Sequence, residues 1–342
     1  MTGHEAAKSR LLELARSYQP ACVLAAACDL ELFEALGNDA VEAPEVAARI
    51  EGDLRATTIL LDALAALQLL DKRGARYSVP DTQRELLSPG TPESVLAMIQ
   101  HQANCMRRWA RLAESVRTGA PVDRAPSVRG ADKDTAAFIE AMDVINRGDA
   151  TRIVGDLMPV EFEHLLDVGG GSGTWTVAWL RANPHARATL FDLPEVLPQA
   201  EDRLGNEGLL DRVTLVAGDF YADPLPEGAD LAWVSAIVHQ NSRDQNRDLF
   251  GKVRAALRPG GRILIRDIVM DETRTRPPGG ALFAVNMLSG TPAGGTFTFQ
   301  ELREDLEAAG FLNVVQLRED EWMHSVVGAT SKSPPHPGRG SG

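Results

Sequence analysis

Three glycines, Gly169, Gly171 and Gly173, stand at alternate positions directly after an apolar run that ends in Asp167-Val168. A strand that runs into such a loop is typical of nucleotide-cofactor sites, because glycine lets the backbone approach a ligand closely and adopt positive φ. The spacing is G-x-G-x-G rather than the G-x-G-x-x-G that holds a dinucleotide pyrophosphate. S-adenosylmethionine (SAM) therefore fits this loop better than a dinucleotide does.

The next two apolar runs also end in acidic residues. Asp192 follows the last loop glycine by about twenty residues, the distance at which α/β folds place a carboxylate against a ribose diol. The alternative is a helix cap before Leu193-Pro194. Asp219 and Phe220 end the third run, where a carboxylate can accept a hydrogen bond from the adenine amino group and a ring can cover the base. The sequence thus predicts three parts of one cofactor site.

His239 follows the fourth apolar run, and we expect it at the same edge of the sheet, where histidine is the natural candidate for a general base. A polar loop residue that donates to a backbone carbonyl is the alternative. Asp267 ends the fifth run and has three possible roles: a hydrogen bond that fixes the imidazole tautomer, an ion pair with Arg266, or a cap on the next turn.

The base alone does not explain catalysis on a phenol. Complete proton transfer from a phenol with a pKa near 10 to a histidine with a pKa near 6.5 is uphill by roughly 5 kcal/mol. Orientation of the acceptor oxygen, in an apolar pocket that favours attack of an oxyanion on a sulfonium, must therefore supply most of the rate.

The elements that must position these residues alternate between strand and helix in the second half of the chain. The strand signals fall at 164–168, 188–192, 212–216, 230–237, 261–267, 314–315 and 325–327. This rhythm predicts an α/β fold with a doubly wound, mostly parallel sheet.

The first half has the outline of a winged helix. Segments 45–50 and 57–64 predict short helices, and 69–79 predicts a hairpin that turns near Gly74. Acidic residues outnumber basic ones between positions 42 and 62, so the outline lacks the basic recognition face of a DNA-binding module. A helical connector follows it along the chain.

Composition favours two domains and a small-molecule partner. The chain has 342 residues, 44% of them hydrophobic, and a net charge of −13, which argues against nucleic acid and anionic membranes as partners.

The N-terminus lacks a signal-peptide pattern and no apolar run reaches the ~18 residues of a membrane span, so we expect a cytoplasmic protein. Cys22, Cys28 and Cys105 have no metal-ligand spacing and predict reduced core residues, and no metal site is predicted.

Taken together, these motifs resemble the SAM-dependent O-methyltransferase family of the caffeate, hydroxyindole and bacterial polyketide type, up to about residue 330. The family's winged-helix dimerisation domain is similar to 25–86, its glycine loop to 167–173, its ribose-binding pair to Asp192-Leu193, and its adenine pair to Asp219-Phe220. The resemblance implies a Rossmann-like seven-stranded sheet, SAM as cofactor, and a homodimer through the N-terminal domain, with each subunit closing part of the other's pocket.

The resemblance also implies a dimerisation domain over 1–100, a helical connector over 101–160 and a SAM-binding catalytic domain over 161–330. The tail over 331–342 has little to bury, so we expect it to be disordered. His239 aligns with the catalytic base and Asp267 with the first of two acidic residues that flank it. The predicted lining of the substrate pocket is Trp109, Phe138, Met142, Phe283, Asn286 and Met287, although an ordinary core is the alternative for the last three.

The chain departs from the family at the base. Where the family reads His-Asp-Trp this chain reads His239-Gln240-Asn241, and Thr296-Phe297 stand where the second flanking glutamate is expected. Ser235, which we count with the cofactor-binding candidates, replaces a lysine that some members have four residues before the base. The interpretation is an O-methyltransferase acting on a small metabolite. Carbon methylation, SAM use without methyl transfer, and a ligand-sensing winged-helix regulator are the alternatives.

Overall fold

The computed structural model describes residues 3–91, 93–123 and 125–331, and for 143–147 it describes the backbone alone. The chain divides into two compact units, Met1–Ala110 with Asp123–Ile145, and Arg111–Val122 with Asn146–Gly342. The predicted tail over 331–342 lies outside the described residues, apart from Ser331. Within the described ranges, no helix is long and apolar enough to cross a membrane.

The first unit is mainly helical with a small antiparallel sheet of order β1-β3-β2. The hairpin turns at Gly74, as the sequence predicts, and its φ of +63° is one that residues with a side chain rarely adopt. Its elements are α1 (Gly3–Arg16), α2 (Tyr18–Asp29), α3 (Leu32–Leu36), β1 (Val41–Glu42), α4 (Ala43–Arg49), α5 (Leu54–Ala66), β2 (Asp71–Arg73), β3 (Arg76–Ser78), α6 (Asp81–Arg84) and α7 (Leu96–Trp109).

The core of the first unit forms between α2, α3, α5 and the hairpin, with Phe33, Leu61 and Tyr77 among its buried side chains. The prediction that all three cysteines are core residues is wrong for Cys22, which is exposed, whereas Cys28 and Cys105 are buried. Cys22 lies in the first half of α2, whose buried residues all fall in its second half.

The second unit contains α8 (Leu112–Thr118), and the long helix α9 (Ala131–Leu157) begins in the first unit and ends in the second. The remaining elements of this unit are β4 (His164–Val168), α10 (Thr174–Ala182), β5 (Arg187–Asp192), α11 (Leu197–Asn206), β6 (Val213–Ala217), β7 (Ala229–Ser235), α12 (Arg243–Ala256), β8 (Leu257–Asp267), β9 (Val269–Met270), α13 (Pro278–Gly290), β10 (Phe297–Thr298), α14 (Phe299–Ala308), β11 (Phe311–Arg318) and β12 (Ser325–Ser331).

Seven of these strands form a sheet of order β11-β12-β8-β7-β4-β5-β6, and β9 and β10 form a separate parallel pair. Strands β8, β7, β4, β5 and β6 are mutually parallel, and β12 runs antiparallel between β8 and β11. The α/β class and the mostly parallel doubly wound sheet are therefore confirmed. Because the parallel strands point the same way, the loops that follow β4, β5, β6, β7 and β8 leave one edge of the sheet.

Helices cover both faces of this sheet. On one face the end of α9 packs with α10 and α11 around a cluster that contains Trp179 and Trp233. On the other face α12 and α14 pack through Phe250 and Leu306. The apolar layers on the two faces of the sheet thus fix the position and tilt of the strands. The ends of these strands hold the candidate site.

We predict that Trp179→Ala lowers the free energy of unfolding by about 3–5 kcal/mol, because the indole is fully buried and no neighbour can fill its volume. Its ring centroid lies 5.3 Å from that of Trp233 and 5.8 Å from that of Phe162. Urea unfolding followed by circular dichroism measures the loss. Leu282→Ala, at a position that is 59% exposed, is the control and should change stability by no more than about 0.5 kcal/mol. Equal losses would contradict the assignment of Trp179 to the core.

Candidate active site

The glycine loop joins β4 to α10 at the carboxyl edge of the sheet. Gly169, Gly171 and Gly173 have φ values of +64°, +56° and +79°. The Gly169 N–H donates to the carbonyl oxygen of Phe191 at 2.8 Å, which ties the start of the loop to β5. A loop of this shape needs glycine at these positions, because side chains disfavour positive φ.

Asp192 lies at the end of β5 and faces this loop. One carboxylate oxygen accepts from the Gly171 N–H at 2.7 Å, and the other accepts from the Leu193 N–H, also at 2.7 Å. Burial raises the pKa of the Asp192 carboxyl, and the two backbone donors oppose that shift. The alternative role as a helix cap does not hold, since α11 begins only at Leu197.

The loop after β6 is packed closely against the end of β5. The Gly218 N–H donates to the carbonyl oxygen of Asp192 at 3.0 Å. A Cβ on Gly218 would lie 2.5 Å from the Phe191 ring, so no larger residue fits there. Asp219 and the half-buried ring of Phe220 follow, and the Phe220 ring lies 4.5 Å from that of Tyr221 between centroids.

The loop leaves open space on one side only. A Cβ on Gly171 would meet no atom within 4 Å, whereas a Cβ on Gly169 would lie 2.7 Å from Cδ1 of Ile237 and 3.7 Å from Cε1 of Phe220. The Asp192 carboxylate and the Phe220 ring thus border an open cleft beside the loop. A carboxylate acceptor and an aromatic ring fit the ribose diol and the adenine of SAM.

Asp167 lies in the strand before the loop and bonds to the helix after it, a contact that the sequence analysis did not predict. The side chain is buried, and its Oδ2 accepts from the Thr176 hydroxyl at 2.6 Å. Burial raises the pKa of Asp167 to about 7, with a smaller contribution from the charge of Asp192. The hydrogen bond from Thr176 joins the end of β4 to the first turn of α10.

His239 lies in a short 3-10 turn, Val238–Gln240, directly after β7, and is buried. Its Nδ1 lies 2.9 Å and 3.0 Å from the two carboxylate oxygens of Asp267. Because a carboxylate oxygen accepts, Nδ1 donates in this bond, and in a neutral ring Nε2 is then the acceptor nitrogen. The geometry gives His239 the tautomer that a general base requires.

Asp267 is held in place by its own backbone environment. Its Oδ1 also accepts from the Ile268 N–H at 2.8 Å, so the contact with the following turn that the sequence suggested coexists with the imidazole bond. The third suggestion, an ion pair with Arg266, is not formed. The Arg266 side chain instead donates to the Ser235 hydroxyl at 2.8 Å and to Nδ1 of His324.

The turn that holds His239 is fixed on both sides. The Gly295 N–H donates to the His239 carbonyl oxygen at 2.9 Å, and a Cβ on Gly294 would lie 2.5 Å from that same oxygen. The Phe283 ring meets the imidazole edge to face, with 4.9 Å between centroids. Before the turn, Ala236 has a φ of +58°, an uncommon conformation for a residue with a side chain.

The two residues that follow His239 differ in their environment. Gln240 is exposed, whereas Asn241 is fully buried. Asn241 accepts from the Tyr221 hydroxyl at 2.5 Å and donates to Asn246 at 3.0 Å. Asn246 in turn donates to the carbonyl oxygen of Val238 at 3.1 Å. This chain links the loop of Phe220 to the turn of His239. Sequence reasoning missed it, because its bonded partners are up to twenty positions apart and form no motif.

The six predicted pocket residues divide between the two units. Phe283, Asn286 and Met287 lie on α13 in the second unit, and of these the ring of Phe283 contacts His239. In the first unit, Phe138 is 43% exposed and its ring lies 5.2 Å from that of His101. Trp109 ends α7, and Met142 lies on α9. That these six residues line one pocket stays a prediction.

Two family models match the chain. An O-methyltransferase domain matches residues 127–312, and an O-methyltransferase dimerisation domain matches residues 12–89. Within the described part of the chain, no group of His, Cys, Asp and Glu side chains is arranged to hold a metal ion.

Characterised proteins similar to the chain include two bacterial enzymes. The 3-hydroxy-5-methyl-1-naphthoate 3-O-methyltransferase of Streptomyces sahachiroi is 33% identical, over 90% of each chain. The tetracenomycin polyketide synthesis 8-O-methyl transferase TcmO of Streptomyces glaucescens is 32% identical, over 89% of this chain and 91% of its own length. Among solved structures, PigF with S-adenosylhomocysteine (SAH) superposes with a TM-score of 0.82 at 25% identity, over 97% of this chain and all of the other.

The buried carboxyl of Asp167 predicts a pH-dependent stability. Its pKa is raised from 3.8 to about 7 in the folded protein, so between these values the folded state holds a proton that the unfolded state releases. Stability therefore falls as pH rises through this window, by at most roughly 4 kcal/mol from this group. Urea unfolding of wild type and Asp167→Asn between pH 4 and pH 8 tests it. The wild type should lose stability relative to the variant as pH rises, and a constant difference would contradict the assignment.

Proposed function

The chain belongs to the O-methyltransferase family and is a SAM-dependent methyltransferase, and from this premise we propose that it methylates a hydroxyl group of a small aromatic or polyketide-like metabolite. The observation that supports the proposal best is the His239–Asp267 pair at the carboxyl edge of the sheet, next to the glycine loop. A neutral imidazole with a fixed tautomer is suited to accept a hydroxyl proton or to orient the acceptor oxygen.

The cofactor end of the site is assigned to the residues of three strand ends. In the proposal, Asp192 accepts from the ribose hydroxyls, Asp219 accepts from the adenine amino group, and Phe220 covers the base. Gly169, Gly171, Gly173, Leu193 and Ser235 complete the cofactor contacts. The bound cofactor supplies a methyl group activated by its sulfonium, so the protein needs to align an acceptor rather than to create an electrophile.

His239 acts on the acceptor oxygen. Its Nε2 takes the hydroxyl proton as the oxygen attacks, while Asp267 stabilises the imidazolium that results. The ring is held by Asp267 at Nδ1, by Phe283 at its edge and by Gly295 at its backbone, so little reorganisation accompanies proton transfer. Orientation of the acceptor oxygen beside the buried imidazole supplies the larger share of the rate, because proton transfer from a phenol to histidine is uphill on its own.

The substrate class follows from the relatives and from the pocket candidates. The two Streptomyces relatives are named for O-methylation of a naphthoate and of a tetracenomycin polyketide. Aromatic and thioether side chains match a planar, largely apolar acceptor, since both contact rings favourably. We assign this role to Trp109, Phe138, Met142, Phe283, Asn286 and Met287.

A second candidate is carbon methylation, or SAM use without methyl transfer, on the same fold. It is favoured by the absence of a second carboxylate beside the base, where Thr296 is buried and Phe297 packs into the core. A weaker base suits an acceptor that needs little deprotonation. The atom that receives the methyl group decides between the two candidates.

We also propose a homodimer formed through the N-terminal region. The dimerisation model matches residues 12–89, and α1 buries none of its own residues. Leu11, Leu14 and Tyr18 are 67%, 70% and 58% exposed, an apolar surface that a second copy would cover. We further propose that the segment boundaries lie at residues 100, 160 and 330. The proposed partner is a small molecule, and the proposed location is the cytoplasm.

We predict that His239→Ala lowers turnover by roughly 100-fold or more and leaves SAM affinity near that of wild type, because the side chain acts on the acceptor. Steady-state kinetics on an accepted phenol and calorimetric titration with SAM separate the two effects. Gln240→Ala is the matched control, since Gln240 is the exposed neighbour of the base. Unchanged turnover in His239→Ala would remove the catalytic role of this residue.

Asp192→Ala should show the opposite pattern. We predict that SAM affinity falls roughly 10-fold to 100-fold, as expected for the loss of hydrogen bonds to a carboxylate. Asp202→Ala removes the same charge from an exposed position on α11 and is the control. Calorimetric titration of each variant measures the dissociation constant, and an unaltered value in Asp192→Ala would overturn its assignment to the ribose.

A further inference from the structure

Arg266 is a buried cation near the cofactor cleft that neither the family motifs nor the proposed mechanism uses. It lies one position before Asp267 on β8 but points to the opposite face of the sheet, and it is 1% exposed. The guanidinium carbon lies 4.4 Å from the centre of the Trp175 ring. Because a guanidinium is expensive to bury, its neighbours should show what compensates its charge.

The direct partners of Arg266 are neutral. Its Nη1 donates to the Ser235 hydroxyl at 2.8 Å, and its Nε and Nη2 lie 3.2 Å and 3.1 Å from Nδ1 of His324. Nε2 of His324 lies 3.1 Å from a carboxylate oxygen of Asp149. The carboxylates of Asp267, Asp149 and Asp320 therefore stabilise the charge of Arg266 through space, without direct contact. Among the side chains that the structure describes, which leave out 143–147, no carboxylate oxygen lies within 4 Å of this guanidinium.

The cluster lies beside the glycine loop. Ser235 ends β7 and pairs with Arg266 in the sheet, and its predecessor Val234 pairs with Val168 on β4. Ser235 is therefore next to the start of the loop at Gly169. Trp175 belongs to the first turn of α10, directly after the loop ends. The guanidinium thus lies between the end of β7 and the first turn of α10.

The bond from Arg266 determines how the Ser235 hydroxyl can be used. A hydroxyl that accepts from a cation keeps its own hydrogen to donate, and the cation makes that hydrogen a stronger donor. Ser235 is half-buried at the edge of the cleft, and no described residue accepts from it. A polarised donor backed by a buried positive charge selects an anion. The anionic group of SAM at neutral pH is its α-carboxylate.

We propose that Arg266 is a positioning residue for the cofactor: it orients the Ser235 hydroxyl toward the α-carboxylate of SAM and supplies the charge that this carboxylate balances. The inference rests on SAM binding at the glycine loop. It assigns to a pair of residues on adjacent strands the recognition of the amino-acid end of the cofactor.

The test compares two ligands that differ only in this group, SAH and decarboxylated SAH. Calorimetric titration of wild type, Ser235→Ala, Arg266→Met and Arg266→Lys gives both dissociation constants without any turnover. Arg262→Met is the matched control, because Arg262 lies on the same strand and donates to the backbone of Glu161 instead. Circular dichroism establishes that each variant is folded.

We expect Ser235→Ala and Arg266→Met to bind SAH roughly 10-fold or more weakly, with affinity for decarboxylated SAH changed less than about 2-fold. Arg266→Lys should retain part of the preference, and Arg262→Met all of it. Equal losses for both ligands, or no loss for either, would overturn the inference and leave the proposed function intact. If Arg266→Met does not fold, Ser235→Ala decides alone. A wild type that binds neither ligand would overturn the proposed function as well.

Discussion

The parallel register of β8, β7, β4, β5 and β6 is the constraint on which the site depends. Backbone hydrogen bonds align these strands so that their carboxyl ends meet at one edge, and each end presents a different functional group. The two apolar layers, with Trp179 on one side and Phe250 on the other, keep that edge in register.

Buried polar groups hold the individual side chains at this edge. Asp267 fixes the imidazole of His239, Asp167 joins the glycine loop to α10, and Arg266 orients the Ser235 hydroxyl. Each group is costly to bury alone and becomes tolerable through its hydrogen bonds, so each also restricts its partner to one geometry. The burial that raises the pKa of Asp167 to about 7 therefore comes with a hydrogen bond that fixes the start of α10 against β4.

The sequence predicted what local patterns determine. Alternating apolar runs located all seven strands of the large sheet, and the glycine spacing located the loop, because both depend on neighbouring residues. The contact of His239 with Asp267 was foreseen as one of three possibilities, since the strand ends had to lie together but the side-chain choice was open. Tyr221, Asn241 and the partners of Arg266 were not foreseen, because their contacts join distant positions: Arg266 and His324 are 58 residues apart. The error for Cys22 has a similar cause, since an apolar pattern does not distinguish a face buried in the core from one left exposed.

The central claim is that the enzyme transfers the methyl group of SAM to a hydroxyl oxygen. The most direct measurement is incubation with SAM labelled with carbon-13 at the methyl group, together with a panel of naphthols, catechols, enols and hydroxyquinones, followed by carbon NMR of the purified product. The account predicts that the label appears as a methoxy carbon, with one SAH formed per methyl transferred. A label on a ring carbon, or conversion of the acceptor without SAH, would contradict it.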